Sequence, residues 1–402
     1  MDKMVLDSFI SLKSYCEKEN FAGWDPYDGL NSKVFQVTPF KHWKITRLLW
    51  IQLFKRSPIN LRKLFLVSKG HNSKCIALAL TSFCNLYKIA AKGNNPFGTK
   101  EQCIEKIDFL ANLLLELQNK KYSGSCWGYN FDWQSKAFFL PKNTPTIVAT
   151  SFAVEALLEA YEITQNKDYL CTAISSYKFI VHDLNIIQKQ DGLFMFSYSP
   201  IDNQAVYNAT LLASKTLSLI YFYSGKIELK ELAYKSVKAV CDLQNHDGSF
   251  PHSDQVGQKW RDSFHTGFKL ESLAYYQLFC KDMSFNSYIN KGFEYWVNNF
   301  FDSVSGYSYY YDRGQKSNLT DLHCVAQSLS TFHKLNRFEK HKILIEKITS
   351  WAIDNMQNKE GYFYFQKNKD KINKIQYMRW PNVWMLYGLS FYFLNTINDD
   401  IS

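Results

Sequence analysis

The sequence predicts an all-α fold, a toroid of paired inner and outer helices of the (α/α)6 type. The first observation is a repeated mark, in which a helical run ends in a glycine followed by aromatic residues. The glycines are Gly128, Gly192, Gly248, Gly306 and Gly361, at intervals of 64, 56, 58 and 55 residues. So regular a period is typical of repeat architectures. The second observation is that two kinds of helix alternate along the chain.

The helices before each glycine are amphipathic and rich in lysine and glutamate, which predicts an outer ring with one wet face. They lie at about 100–119, 167–184, 227–244, 285–300 and 337–356. The helices after each glycine are apolar nearly all round and are predicted to form the inner ring. They lie at about 145–163, 206–224, 264–279, 319–334 and 377–394. We expect each glycine to close a helix and the aromatics to form a short hairpin, all at one end of the toroid.

The N-terminal part of the chain shows a sixth helix pair without the glycine mark. Residues 40–54 are predicted to be its outer helix and residues 73–91 its inner helix, with helix 3–19 as an extra element. If helix 3–19 pairs with 40–54 instead, the ring is incomplete or seven-fold, and the sequence leaves both alternatives open.

No linker rich in Pro, Gly or Ser divides the chain, so we expect one domain over residues 1–402. Residues 1–66 would hold the N-terminal helices and a rim segment, and residues 67–402 the helical hairpins. The hydrophobic content of 46 % and the aromatic content of 17 % suffice for a large core.

The composition also predicts the surroundings of the protein. Nine scattered cysteines without a C-x-x-C pair indicate reduced thiols, and no signal peptide or transmembrane segment is recognisable, so we expect a cytoplasmic protein. The net charge of +10 is interpreted as spread along the chain rather than clustered, and no nucleic-acid-binding module is visible. We therefore expect no nucleic-acid partner, and the oligomeric state stays open.

If the glycine marks share one end of the toroid, the inner helices begin there and their N-termini converge on one cavity. The unpaired N–H groups and the helix dipoles make such a cavity favourable for anions. Polar residues in the segments that lead into the inner helices are therefore candidates for a functional site. The candidate catalytic residues are Asp132, Tyr207, Asp262, His265, Asp321, His323 and Tyr377. The candidate substrate-binding residues are Asp25, Tyr27, Asp28, Trp127, Trp133, Asn208, Trp260, Arg261, Arg379 and Trp380.

Structural roles compete with each of these assignments. Asp262 and Asp321 also suit plain helix caps, the histidines suit core positions, and the tryptophans and tyrosines suit wall packing. Arg379 is costly to bury unpaired, so we expect it to meet a carboxylate, either that of Asp321 or one on a ligand. Asp321, His323 and Cys324 superficially suggest zinc, but a site would need a further ligand, and we expect no metal and no cofactor.

A bowl that combines aromatics, carboxylates and an arginine favours carbohydrate binding, because sugar faces stack on aromatic rings while polar groups bond the hydroxyls. Two reactions stay open. Paired carboxylates such as Asp132 with Asp262 or Asp321 would serve as acid and base on a glycosidic bond. Alternatively, a tyrosine with His265 or His323 would remove and return a carbon-bound proton next to a uronate carboxyl.

Several strings together resemble the VpsJ-like bacterial polysaccharide-biosynthesis proteins. These are WDPYDGL, KRSPINLR, WGYNFDWQSKAFFLPKNTP, VYNAT, WRDSFHTGF, TDLHCVAQ and YMRWPNVWMLY, and the resemblance spans nearly the whole chain. It implies an α/α toroid and a role in the assembly of capsule, O-antigen or exopolysaccharide, without an established reaction. More distantly, the toroid resembles the C-terminal domain of D-glucuronyl C5-epimerases, the six-hairpin glycosidases and the heparinase-type lyases.

The leading hypothesis is a carbohydrate-active protein of surface-polysaccharide biosynthesis that binds an anionic oligo- or polysaccharide, uronic-acid-containing or lipid-linked. It would epimerise, eliminate or hydrolyse that saccharide. The first alternative is a non-catalytic glycan-binding or scaffold toroid. The second is an isoprenoid-handling toroid, because the glycine-aromatic turns also resemble those of terpene cyclases and prenyltransferases, although the chain has no Asp-rich DDxD motif.

Overall fold

The computed structural model describes residues 3–93, 96–253, 255, 257–312 and 318–397. Within these residues helices dominate, and the strands are short. The helices are α1 (Lys3–Lys18), α2 (Lys33–Gln36), α3 (Lys44–Arg56), α4 (Ser73–Ala90), α5 (Lys100–Glu116), α6 (Ile147–Thr164), α7 (Lys167–Lys178), α8 (Tyr207–Ser224), α9 (Ile227–Cys241), α10 (Ser263–Cys280), α11 (Asn286–Phe300), α12 (Leu322–Lys334), α13 (Lys342–Met356) and α14 (Trp384–Thr396).

Six of these helices form a closed inner ring. Helices α4, α6, α8, α10, α12 and α14 pack side by side in this order, and α14 packs back against α4. Nearly all their residues are buried, as their apolar sequences predict. Helices α5, α7, α9, α11 and α13 pack outside them, each on the inner helix that precedes it in the chain. The predicted all-α toroid is confirmed.

The sixth outer helix is α1, so the pairing predicted for residues 40–54 was wrong. Helix α1 packs against α13 and α14, and the first helix thereby completes the outer ring beside the last one. It buries Val5, Phe9, Leu12 and Cys16 at helical spacing, which gives it one continuous apolar face. Helix α3 buries only Ile51 and Phe54 and packs outside the rings, on the 3-10 helix Asp28–Asn31 and on the first strand.

Three of the five glycine marks bring their turn into close contact with the next outer helix. Gly248, Gly306 and Gly361 have φ angles of +87°, +75° and +92°, and a Cβ on each would lie within 2.5 Å of a backbone oxygen in α11, α13 and α1, respectively. No other residue type fits so close an approach at such a φ. Gln357, four residues before its glycine, donates hydrogen bonds to Gly361 O and to Ser8 O of α1. The turn at Gly361 therefore contacts α1 in the same way as the earlier turns contact the next outer helix.

Short antiparallel strands follow several of the marks. They are β1 (Trp133–Gln134) with β2 (Phe139–Leu140), β3 (Ile186–Gln188) with β4 (Phe194–Phe196), and the three-stranded sheet of β5 (Leu319–Asp321), β6 (Gln366–Asn368) and β7 (Lys371–Asn373). Strand β2 precedes the inner helix α6 in the chain, and β5 leads directly into the inner helix α12. The hairpins therefore surround the end of the ring at which the inner helices begin.

A cluster of buried charges lies within the inner ring, formed by residues near the middle of α6, α8 and α10 and by the last residue of α12. The Glu155 carboxylate contacts the Lys215 ammonium at 2.5 Å and the Lys334 ammonium at 2.8 Å, and Lys334 also lies 3.3 Å from Glu271. The Tyr275 hydroxyl donates to Glu155 at 2.6 Å. Burial alone would raise the pKa of Glu155, but the two ammonium groups outweigh it and lower that pKa. The cluster therefore holds the Glu155 carboxylate ionised between two lysines.

We expect Glu155→Gln to lower the free energy of unfolding by about 3–5 kcal/mol, because it leaves Lys215 buried without a carboxylate. Chemical denaturation measures this change. Glu105→Gln, at an exposed position on α5, is the matched control and should change the free energy by less than about 0.5 kcal/mol. An equally small effect of both substitutions would contradict the role given to the cluster.

Candidate functional site

One cavity of about 520 Å³ opens at the end of the toroid where the inner helices begin. Each inner helix contributes to its lining from its first turn or from the segment that leads into it. These contributions are Lys74 of α4, Val148 of α6, Asn208 of α8, His265 of α10, His323 of α12, and Arg379 and Trp380 before α14. Because helix N-termini carry unpaired N–H groups and a partial positive charge, the cavity favours an anionic or hydroxyl-rich ligand.

Aromatic rings form most of the cavity wall. Tyr129 and Phe131 stack with centroids 5.4 Å apart, and Trp133 of β1 meets Phe138 across its hairpin. Tyr198 lies against both rings of that hairpin. Further rings come from the later repeats, namely Trp260, Phe264, Phe268, Tyr310, Tyr311 and Trp380. Flat apolar rings with a few polar groups between them suit the faces of sugar rings.

His265 and Asp262 form a hydrogen-bonded pair at the start of α10. Asp262 caps the helix by accepting the His265 backbone N–H at 2.8 Å, and its other oxygen lies 2.7 Å from the ring Nδ1. Because a carboxylate oxygen accepts, the tautomer that fits this contact has its proton on Nδ1 and its lone pair on Nε2. The imidazole is 18 % exposed and lines the cavity, whereas the Asp262 carboxylate is fully buried behind it.

His323 is the second imidazole, and its surroundings differ. It is buried among aromatic rings, with centroids 4.1 Å from Trp384 and 4.3 Å from both Phe264 and Trp380. Neither ring nitrogen has a hydrogen-bond partner within the described protein. Burial, together with the positive charges of Lys74 and Arg379, holds the pKa of His323 well below its usual range. The ring is therefore neutral at pH 7, with one N–H that a ligand in the cavity can accept.

A third imidazole, His252, was missed by sequence reasoning. It stacks on Trp260 with centroids 4.1 Å apart and meets His265 edge-on at 5.2 Å. Burial, helped by the charges of His265 and Lys269, lowers the pKa of His252 to about 2. The Lys269 ammonium donates to the carbonyls of Phe250 and Pro251 and so fixes the segment that carries this ring. His252 thus forms an uncharged wall beside His265.

Lys74 lies under the cavity and was also missed. Its ammonium lies 4.3 Å from the Phe152 ring centroid, 4.8 Å from Phe268 and 5.0 Å from Trp384, and the residue is only 2 % exposed. None of the ion pairs found among the described residues includes Lys74. Burial, followed by repulsion from Arg379, holds the pKa of Lys74 well below its usual range. A lone lysine in the apolar run SKCIALAL is the signal that would have identified it.

Within the protein, Arg379 meets the carboxylate of Asp25 and not that of Asp321, which one alternative had predicted. Its Nε lies 2.5 Å from the Asp25 carboxylate, and its guanidinium lies 5.2 Å from the Tyr129 ring and 5.0 Å from the Trp380 ring. The N-terminal segment WDPYDG therefore folds over the cavity rim. A second pair holds it there, because Arg62 Nε lies 2.7 Å from Asp28 and its Nη2 donates to the Asp25 carbonyl oxygen.

Asp321 is an organiser of the site and does not line the cavity. Its carboxylate caps α12 by accepting the His323 backbone N–H at 2.9 Å, and it also accepts from Trp380 Nε1 and Gln366 Nε2, both at 2.7 Å. Burial raises its pKa to about 6, although these three hydrogen bonds oppose the shift. Asp321 therefore positions the Trp380 ring against His323.

Eight of the seventeen predicted site residues line the cavity. They are Tyr27, Trp133, Asn208, Trp260, His265, His323, Arg379 and Trp380. Asp25, Asp28, Asp262 and Asp321 stand behind the lining, in the contacts described above. The other five candidates lie outside the lining as well, each for its own physical reason.

Asp132 turns away from the cavity and accepts the backbone N–H of Lys142, which closes its hairpin. Trp127 is wholly buried and donates to the Leu114 carbonyl oxygen. Arg261 pairs with Asp312 at 2.6 Å.

The two tyrosine candidates are also placed in the protein interior. Tyr207 is buried at the start of α8, where its backbone N–H donates to the His252 carbonyl oxygen. Tyr377 is wholly buried and accepts a hydrogen bond from Arg62 through its hydroxyl. Neither side chain lines the cavity, so the acid–base role predicted for these tyrosines has no geometric support.

The charged side chains in the described part of the lining are all basic. Among the described residues that line the cavity are Lys74, Lys136 and Arg379, but no aspartate or glutamate. The described part of the chain also holds no group of three or more His, Cys, Asp or Glu side chains arranged to bind a metal ion. The arrangement can stack a sugar, place an anionic group near Lys74, and move a proton through His265.

Solved structures with the same architecture act on carbohydrates. A cellobiose 2-epimerase from Bacillus thermoamylovorans B4167 matches with a TM-score of 0.65 at 13 % identity, covering 97 % of this chain and 99 % of that one. A glycoside hydrolase family 76 mannosidase from Bacteroides thetaiotaomicron VPI-5482 matches with 0.61 at 11 % identity, covering 99 % of both chains.

An unsaturated glucuronyl hydrolase specific for heparin matches with a TM-score of 0.60 at 11 % identity, covering 97 % of this chain and 96 % of that one. Such identities establish the toroid fold and no more. No protein-family model and no curated protein matches the chain. The resemblance to VpsJ-like proteins therefore stays a prediction. No helix among the described residues combines the length and apolar character that a membrane crossing requires.

We expect His252 and His323 to stay uncharged from about pH 8 to about pH 5, because their pKa values lie below the ordinary value of about 6.5. The unfolded chain binds protons at both residues below about pH 6.5 while the folded chain does not, so the free energy of unfolding should fall as pH drops through this range. NMR titration of the imidazole C–H signals measures the two pKa values, and the variants His252→Gln and His323→Gln assign the signals. The urea-unfolded chain is the control, and a folded-state midpoint near pH 6.5 would refute the prediction.

Proposed function

We propose that this protein is a carbohydrate-active enzyme that removes and returns a proton at a carbon beside a sugar carbonyl or carboxyl group, as an epimerase or isomerase does. The observation that carries the proposal is the His265–Asp262 pair, which faces a cavity whose described lining contains no carboxylate. A glycosidase typically needs two carboxylates at the scissile bond. Asp132 and Asp321 hold backbone and side-chain groups outside the cavity instead.

His265 is the proposed base. Its Nε2 is the ring nitrogen not engaged by Asp262, so it can accept a carbon-bound proton from a sugar in the cavity. The imidazolium that forms is stabilised by the buried Asp262 carboxylate at 2.7 Å, as in other histidine–aspartate pairs. Inversion at that carbon requires the enolate to turn in the cavity before the same nitrogen returns the proton to its opposite face. The product then leaves with the charge of the substrate and His265 in its starting form.

His323 is proposed to polarise the carbonyl oxygen. Loss of a proton beside a carbonyl places negative charge on oxygen, and a neutral imidazole that donates a hydrogen bond there stabilises the developing enolate. The low pKa of His323 keeps it in this neutral form, and its ring nitrogens have no described protein partner. The rings of His265 and His323 both contact Phe264, with centroids 4.0 and 4.3 Å away. Both rings also line the cavity, so one sugar bound there can meet both.

The substrate is proposed to be an anionic oligo- or polysaccharide, such as one that contains a uronic acid. Lys74 supports this choice, because burial disfavours the charged form of its amine and no carboxylate pairs with it, so a negative group on a ligand would favour the ammonium form. The sequence resemblance to VpsJ-like proteins supports a role in surface-polysaccharide assembly. Among proteins of the same fold, the cellobiose 2-epimerase is named for a reaction of the proposed kind.

The two alternatives from the sequence fit the site less well. An isoprenoid-handling toroid calls for a bowl lined by aromatics alone, whereas this lining contains imidazoles, lysines and an arginine. A non-catalytic scaffold gives no reason for an imidazole that is buried without a protein partner and faces a cavity.

Deuterium incorporation from D2O tests the reaction, because a proton removed by a solvent-exchangeable imidazole is replaced in part by deuterium. Reducing disaccharides and glucuronate-containing oligosaccharides would be incubated with the protein and followed by NMR. We expect His265→Gln to slow exchange roughly 10²–10⁴-fold and His323→Gln roughly 10²-fold. Asp262→Asn keeps a capping side chain but removes the charge, so it should slow exchange without changing the melting temperature greatly.

His182→Gln is the matched control, since His182 is exposed on the outer ring. It should leave the exchange rate unchanged. Cleaved products without deuterium exchange would establish a hydrolase and overturn the proposal, as would equal rates in wild type and His265→Gln.

Lys74→Met should select against anionic substrates. The methionine fills the aromatic site without charge, so binding of a glucuronate-containing saccharide is expected to weaken roughly 10–100-fold, as for the loss of one charged hydrogen bond. Binding of the neutral analogue should change less than about threefold, within the spread of neutral contacts. Isothermal titration calorimetry measures both. Lys136→Met, at the exposed part of the lining, is the control, and an equal loss for both ligands would argue against recognition of charge by Lys74.

A further inference from the structure

The positive charge of the chain is concentrated in one segment. Residues 29–100 contain thirteen lysines and arginines and no aspartate or glutamate. That number exceeds the net charge of the whole chain, +10, so the remainder is slightly acidic. The expectation of an evenly spread charge was therefore wrong, because the total alone does not show how the signs are distributed.

The same segment exposes an unusual number of large apolar side chains. Ten lie between residues 34 and 66, namely Val34, Val37, Phe40, Trp43, Ile45, Leu49, Leu53, Ile59, Leu64 and Leu66. Single exposed apolar residues are normal on any protein, but so dense a group marks an interaction surface.

Helix α3 carries the centre of this group. Ile45, Leu49 and Leu53 follow one another at intervals of four and are 70 %, 64 % and 45 % exposed, so one apolar stripe faces outward. Ile51 and Phe54 anchor the opposite side of the helix to the protein. The helix thus carries apolar side chains on two sides, one packed on the protein and one turned to solvent, unlike an ordinary surface helix, whose outer side is polar.

Aromatic and basic residues flank the stripe. Trp43 immediately precedes α3 and is 56 % exposed, and Lys44, Arg56 and Lys63 are exposed around it. We call the set formed by Trp43, Lys44, Ile45, Leu49, Leu53, Arg56, Ile59, Lys63 and Leu64 the α3 surface. Tryptophan, leucine and lysine in such an arrangement are typical of helices that lie in the interface of a lipid bilayer.

We propose that the α3 surface docks on the face of an anionic lipid bilayer. The choice of partner rests on charge complementarity, because the surface offers only positive side chains to the headgroups and apolar side chains to the acyl boundary. A second copy of the chain is a poorer partner. In a two-fold contact the surface would meet itself and place the same basic residues opposite one another without a carboxylate between them.

The α3 surface adjoins the mouth of the cavity. On its inner side, Lys55 donates to the Tyr27 hydroxyl at 3.1 Å, and Tyr27 lines the cavity. Arg47 Nε donates to Gln134 Oε1 at 2.9 Å, next to Trp133 in β1. Docking would therefore hold the rim of the cavity at the membrane.

Co-sedimentation of the full chain with vesicles tests the proposal. We expect binding to vesicles of phosphatidylcholine mixed with phosphatidylglycerol, little binding to pure phosphatidylcholine, and loss of binding at high salt. Leu49→Ser with Leu53→Ser should weaken binding about tenfold or more without changing the charge. Lys44→Gln with Arg56→Gln should weaken it roughly fivefold for each charge removed.

Leu278→Ser with Met283→Ser is the matched control, because these side chains are 67 % and 64 % exposed, in the last turn of α10 and in the connection after it. It should bind vesicles like the wild type, and circular dichroism checks that all variants are folded. The proposal is overturned if the wild type fails to bind the anionic vesicles at low salt, or if the control pair loses binding equally. It is also overturned if ultracentrifugation shows a dimer that Leu49→Ser with Leu53→Ser dissociates while vesicles do not bind.

Discussion

Charge balance on the axis of the inner ring is the constraint on which the site depends. Glu155, Lys215, Glu271 and Lys334 come from four inner helices, and each would cost several kcal/mol if buried without its partner. Their contacts therefore fix these helices relative to one another. Directly above them, the rings of Phe152, Phe268 and Trp384 contact one another at 5.5–5.8 Å and form the base on which Lys74 rests. The cavity is what remains between this layer and the helix starts.

Two capping aspartates then give two histidines different chemistry. Asp262 and Asp321 occupy the same place in adjacent repeats, before α10 and α12. The histidine three residues after Asp262 brings its ring nitrogen back to the carboxylate, whereas the one two residues after Asp321 donates only its backbone N–H. The Asp321 carboxylate also accepts hydrogen bonds from the side chains of Trp380 and Gln366. A difference of one residue in this spacing therefore gives His265 a carboxylate partner and leaves His323 uncharged among aromatic rings.

The repeat period, the amphipathic and apolar helix types and the glycine marks made the fold predictable, because each is a local property of the sequence. The pairing of α1 with α14 was not, since it joins the two ends of the chain. His265 and His323 could be predicted because helix starts converge in a toroid. Lys74 was missed because its repeat lacks the glycine mark, although a lone lysine in the apolar run SKCIALAL was a visible signal. The prediction for Asp132 was wrong because a short hairpin can turn a carboxylate toward or away from the cavity.

The sequence predicted that residues 40–54 lie in the outer ring, but helix α3 lies outside it. Its proposed role as a docking surface follows from that position. Helix α3 lacks a broad buried face, so it remains outside the rings, where its inner side holds Tyr27 and β1 and its outer side is left apolar and basic. On the two proposals together, a saccharide carried by a membrane lipid would reach the cavity from the side that docks. A free saccharide would need the cavity but not the α3 surface. The α3 surface would therefore govern which substrates are reached, while His265, His323 and Lys74 would govern what happens to them.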